Sequence, residues 1–179
     1  KDAVDIFLDF LRDVATEDRV GLSVYTAANG HALLEHGLTY DVEQIRTITR
    51  QRQAGHYHGS TNVGAGLDVG IQELETNGRV GTLKTLVLLT DGQANLPGSG
   101  SEARSYALQK AAYAGDLGFP IASISLGANA DESLMAEIAE LSEGVHFHVP
   151  GGRSVAQYEE ELRDAFRRLA AARPLRLVH

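Results

Sequence analysis

Two segments of the chain carry residue types that can do chemistry. Gly59-Ser60-Thr61-Asn62-Val63-Gly64-Ala65-Gly66-Leu67 is a small, hydroxyl-rich loop that runs into a helical pattern. Thr85-Leu86-Val87-Leu88-Leu89-Thr90-Asp91-Gly92 is an apolar run that delivers a carboxylate into a turn. The Thr61 hydroxyl and the Asp91 carboxylate are hard oxygen donors, the kind that Mg²⁺ and Ca²⁺ select. In open α/β sheets, ligands gather beyond the carboxyl ends of the strands, where both loops would lie. Each residue also has a plain structural reading. Ser60, Thr61 or Asn62 can cap the following helix, and Asp-Gly after a strand is a common turn. Two such residues at separate strand-end loops of one sheet favour a cation site, although two donors do not complete one.

Histidines come in two H-x-H pairs, His56/His58 and His146/His148. Positions i and i+2 of a strand share a face, so His146 and His148 can both bind zinc. The alternative is a solvent-facing stripe on an edge strand. His56 and His58 lie in a glycine-flanked loop near Thr61, better placed to touch a partner or ligand. Gly64 to Gly70 is one residue too long for G-x-G-x-x-G, and no G-x-x-x-x-G-K-[ST] is present, which argues against a nucleotide site. There is no cysteine and no G-x-S-x-G, and Ser123 and Ser125 sit inside an apolar run as packing residues. No acid–base pair stands out, so the chain reads as a non-enzyme.

The elements that must position these residues follow from periodicity. Ala3, Val4, Phe7, Leu8, Phe10, Leu11 and Val14 predict a first amphipathic helix. Val20 to Tyr25 predicts a short strand, and His31 to Leu38 a weaker one with Gly37 near its end. A polar helix over 41–53 has Asp41 as its N-cap, and a helix over 64–76 stops at Asn77-Gly78. Thr85–Thr90 and Ile121–Leu126 read as strands buried on both faces of a parallel sheet. Residues 95–101, with Pro97 and two glycines, read as a mobile loop. Further helices are expected over 102–117, 131–141 and 155–171, with a last strand at Val145–Val149. Strands alternating with helices predict one doubly wound α/β domain over 1–179, its mostly parallel sheet covered on both faces.

At 179 residues the chain is long enough for a self-sufficient core. A net charge of −8 argues against nucleic acid. No apolar run approaches the roughly 18–20 residues that span a bilayer. Helical periodicity starts at Lys1, with no visible signal peptide, no capping residue and no strand feeding the helix, as though the domain were entered partway through a unit. The absence of cysteine leaves the redox compartment undetermined.

Together, G-S-T-N-V-G-A-G-L (59–67), L-V-L-L-T-D-G (86–92), I-A-S-I-S-L-G (121–127) and G-V-H-F-H-V-P (144–150) resemble the von Willebrand factor type A domain, with bacterial members closest. The likeness runs over essentially the whole chain, in order. It implies a metal-ion-dependent adhesion site on top of the sheet. In that family a D-x-S-x-S segment after a central first strand supplies an Asp and two Ser, a second loop a Thr, and a third loop an Asp. Thr61 matches the second-loop Thr and Asp91 the third-loop Asp.

The resemblance further implies Mg²⁺ (or Ca²⁺ or Mn²⁺) and a partner protein that completes the octahedron with a Glu or Asp carboxylate. Ser60, Asn62, Gly92, Asn95 and His58 would then touch that partner. No D-x-S-x-S occurs in these 179 residues. At most two of the five side chains are therefore expected here, with weak or absent metal. A sheet without the central strand would expose the edges of Val20–Tyr25 and Thr85–Thr90, with the strand expected from an upstream segment or another chain. An adhesion module favours a cell-surface, extracellular or periplasmic setting. The alternative, a subunit docking with a ring ATPase in a bacterial or chelatase-like assembly, favours the cytoplasm. A zinc hydrolase using the histidine pairs is a third reading.

Overall fold

A computed structural model of the chain describes residues 1–13, 17–25, 32–52, 60–150 and 155–171. The elements follow in the order α1 (Asp2–Asp13), β1 (Val20–Val24), β2 (Leu33–Thr39), α2 (Val42–Gln51), α3 (Val63–Asn77), β3 (Leu86–Thr90), α4 (Gly100–Asp116), β4 (Ile121–Leu126), α5 (Glu132–Leu141), β5 (Val145–Val149) and α6 (Val155–Ala171). The helix starts are set by short polar side chains that satisfy first-turn amides. Asp41 accepts from the Gln44 amide, Asn62 from Ala65, and Asp131 from Leu134.

β3, β4 and β5 form a parallel sheet in that order, with Leu86 opposite Ile121 and Ala122 opposite Val145. Alternate residues of its strands pack on opposite faces, as the two-residue period requires. Leu88 and Ile121 meet Leu67, Ile71, Met135 and Ile138 of α3 and α5 on one face. Ile124 and Val149 meet Ala3, Ile6, Phe10 and Phe166 of α1 and α6 on the other. The fold is therefore α/β and doubly wound, with helices on both faces.

β1 and β2 form a separate antiparallel hairpin. Among the described residues no strand joins the edge of β1 to the edge of β3. A cleft of about 860 Å³ separates them instead. It is flanked by Leu8 and Leu11 of α1 and by Leu67, Gly70 and Leu74 of α3.

Two expectations needed adjustment. β2 runs to Thr39, one residue beyond the expected end at Leu38. Residues 95–101 are not merely a glycine- and proline-rich loop. The Asn95 and Leu96 amides donate to the Thr61 carbonyl at 3.0 and 3.2 Å. Ser99 then starts α4 at Gly100 through a capping box with Glu102. The S-x-x-E spacing that announces such a box was present in the sequence.

Candidate functional site at the carboxyl end of β3

Thr61 and Asp91 both border the mouth of the cleft, at the end where β1 and β3 finish. The capping role falls to Asn62, which is buried and whose Oδ1 accepts from the Ala65 amide at 3.0 Å. Thr61 is therefore not the helix cap. Its amide donates to Asn95 Oδ1 at 2.7 Å, while its carbonyl accepts from the Asn95 and Leu96 amides. This reciprocal pairing fixes the Thr61 loop against the segment that follows Asp91.

The turn after β3 is closed by Thr90. Its hydroxyl accepts from the Gly92 amide at 3.4 Å and donates to the Gly92 carbonyl at 3.3 Å. The same carbonyl receives the Asp131 amide at 3.4 Å, linking the turn to the start of α5. Asp91 is exposed at the rim. Of the other proposed contact residues, Ser60 is half-buried beside Thr61, Asn95 is exposed, and Gly92 has no atom within 4 Å of an added Cβ. His56 and His58 lie outside the described residues.

Thr61 and Asp91 have the chemistry of Mg²⁺ ligands, but Mg²⁺ demands an octahedron. Among the described residues no group of three His, Asp or Glu side chains converges closely enough to hold a metal. The residues in hand thus fit a divalent cation only in part.

That finding also bears on His146 and His148. Instead of a three-ligand zinc centre, the two imidazoles share one buried hydroxyl. Ser125 Oγ lies 3.0 Å from His146 Nε2 and 2.9 Å from His148 Nδ1. Glu132 Oε2 lies 3.8 Å from the same His148 nitrogen. A serine hydroxyl has one proton to give, so with both rings neutral it donates to one and accepts from the other. Ser125 itself has no exposed surface, which removes it as a nucleophile toward a substrate. In the sequence Ser125 reads as a packing residue, because its partners lie on the next strand and are set beside it only by register.

Burial lowers the His146 pKa, with Glu132 opposing and His148 assisting. A histidine whose folded-state pKa lies below its unfolded value contributes stability that is present above about pH 6.5. That contribution is lost as pH falls, because the unfolded chain binds the proton more readily. Urea unfolding at pH 7.5 and 5.5 is therefore expected to show a larger acid-induced loss in the wild type than in His146→Gln. Equal losses would contradict this account of the pair.

A family model described as the von Willebrand factor type A domain matches residues 1–93. No curated protein sequence matches the chain. Among solved structures, an aerotolerance-related membrane protein from Bacteroides fragilis aligns at TM-score 0.70 and 16% identity, over 93% of this chain and 87% of that one. The SpRpn10 VWA domain aligns at TM-score 0.68 and 12% identity, over 93% and 80%. A proximal thread matrix protein from the mussel byssus, with a zinc-occupied metal-ion-dependent adhesion site, aligns at TM-score 0.61 and 19% identity, over 90% of this chain and 40% of that one. At these identities the likeness is one of fold. With the family model covering just over half of its residues, the chain belongs to the von Willebrand factor type A domain family.

Proposed function

We propose that the chain is a non-enzymatic protein-binding module whose partner engages the Thr61–Asp91 face, through a divalent cation and a Glu or Asp carboxylate. The observation that carries this reading is the tie between Thr61 and Asn95, which brings the hydroxyl-bearing loop and the loop after β3 to one rim. Thr61 and Asp91 would contribute two oxygens, with water and outside groups supplying the rest, so the cation is held weakly by this chain alone. Ser60, Asn62, Gly92, Asn95 and His58 would surround the contact. Two variants separate binding from folding. Asp91→Ala is expected to reduce Mg²⁺ affinity about tenfold or more in an amide-shift titration. Gly92→Ala is expected to keep the wild-type stability, since its side chain would meet open space. Equal Mg²⁺ affinity in Asp91→Ala would remove the cation from the reading.

The same reading assigns the cleft between β1 and β3 to an extended segment. Leu86 donates its amide to the Pro120 carbonyl. In a parallel ladder the peptide groups alternate in direction, so Val87 and Leu89 turn theirs toward the cleft. Apolar walls from α1 and α3 suit a strand buried on both faces, as β4 is. A lysine-flanked peptide with the Ile121–Leu126 sequence is a suitable probe. Bound there, it is expected to slow hydrogen exchange at the Val87 and Leu89 amides. Among the described residues no helix is long and apolar enough to cross a membrane.

A further inference from the structure

His146 and His148 lie on β5 beside the start of α5. His146 is half-buried and His148 is more exposed, and both rings reach the Ser125 hydroxyl, which has no exposed surface. Glu132, the first residue of α5, faces His148 at 3.8 Å. The neighbouring Asp131 is already engaged, its Oδ1 accepting from the Leu134 amide and its Oδ2 lying 3.5 Å from Arg104 of α4. On the opposite face of β5, Phe147 packs into the apolar core with α1 and α6. Among the described residues, Glu132 is thus the charged group that faces the two histidines.

Segment 127–131 connects this group to the candidate rim. At one end the Gly127 amide donates to the Val149 carbonyl at 2.9 Å, next to His148. At the other the Asp131 amide donates to the Gly92 carbonyl at 3.4 Å, next to Asp91. The second bond is long for an N–H···O contact, and the Glu132–His148 separation is beyond one. Both have room to shorten.

We propose that Ser125, His146 and His148 form a single-proton switch: below neutral pH one proton settles on His148, draws Glu132 to it and tightens the start of α5 onto the Asp91–Gly92 turn. The limit of one proton follows from the shared hydroxyl. With His148 charged, its Nδ1–H donates to Ser125 Oγ. The hydroxyl proton then goes to His146 Nε2, so that ring is neutral with its own proton on Nδ1. A second proton, on His146 Nε2, would set two cationic donors on one oxygen. It would also leave the buried hydroxyl proton without its acceptor, which is costly. Glu132 decides which ring takes the first proton, since it lies beside His148. The His146 pKa is lowered by burial, against Glu132 and with help from His148, in keeping with this order.

The switch needs no cation, so its test runs in metal-free buffer and its failure leaves the Thr61–Asp91 reading standing. Proton–nitrogen spectra of the imidazoles, recorded from about pH 8 to about pH 5, report the protonation of each ring. His148 is expected to take up a proton over this range, while His146 stays neutral in its Nδ1–H form. The Asp131 amide is expected to gain about threefold protection from hydrogen exchange, corrected for the intrinsic rate. In Glu132→Gln that gain is lost. In His148→Gln, whose amide oxygen can accept the hydroxyl proton, the His146 midpoint is expected to rise by about one pH unit, tenfold in proton affinity. The wild-type titration needs no variant to fold. Both rings charged at a common midpoint, or a His146 midpoint unmoved in His148→Gln, would overturn the single proton. Asp131 protection that ignores pH, or a gain that survives Glu132→Gln, would overturn the link to the rim.

Discussion

Phe166→Ala is expected to lower the unfolding free energy by about 3–5 kcal/mol, the range for removing a large aromatic from a closed core. Phe166 is 1% exposed and lies on α6. Its ring centroid is 5.0 Å from that of Phe7 and 6.2 Å from that of Phe10, both on α1. These rings, with Ile124 and Val149, make the core on that face of the parallel sheet. Truncation leaves a cavity between two helices and a sheet, none of which can close it alone. The Arg163–Asp13 ion pair, at 3.4 Å, also links α6 to α1. It is partly exposed, and such pairs contribute about 0–1 kcal/mol, too little to hold the helices together. Urea unfolding followed by circular dichroism measures the loss. A cost below about 1 kcal/mol would mean that α6 does not pack on α1 as described.

Gly144→Ala is expected to destabilise by about 3 kcal/mol, at the upper end for overpacking, because the clash is with backbone. A Cβ at this position would lie 2.0 Å from the Ile121 carbonyl oxygen and 2.7 Å from its carbonyl carbon and amide nitrogen. The turn Ser142-Glu143-Gly144 is stacked on the first residue of β4. The Gly144 amide closes α5 by donating to the Ala139 carbonyl, and the Ser142 hydroxyl accepts from the Ile121 amide. Glu143 takes positive φ there, at 55°. The turn therefore cannot retreat without breaking the end of α5 or the start of β4. A midpoint shift in urea as small as that of Gly92→Ala would contradict this packing.

Much of the fold was legible because its signals are local. The boundaries of β4, β5 and α6 fell where apolar runs and helical periodicity put them, and Asp41 is legible as an N-cap from residue type alone. What escaped depends on partners far along the chain. Three polar residues competed for the cap of α3, and the choice of Asn62 became visible only once Thr61 was seen paired with Asn95. Ser125 became part of a hydrogen-bonded group only when register set it beside His148. The two histidines share that hydroxyl rather than forming a plain solvent stripe.

The candidate site was half legible in the same sense. Thr61 and Asp91 were marked by their chemistry and by their place after apolar or helical patterns. The bonds that bring their loops to one rim join residues more than thirty positions apart.

The central claim, a cation-dependent binding rim at Thr61 and Asp91, is tested most directly by adding Mn²⁺ to the isotope-labelled chain and recording paramagnetic broadening of the amides. The account predicts weak, saturable broadening centred on residues 60–62 and 91–95, competed by Mg²⁺ and lost in Asp91→Ala. Broadening centred on His146 and His148, broadening indifferent to Asp91→Ala, or none at saturating Mn²⁺ would contradict it.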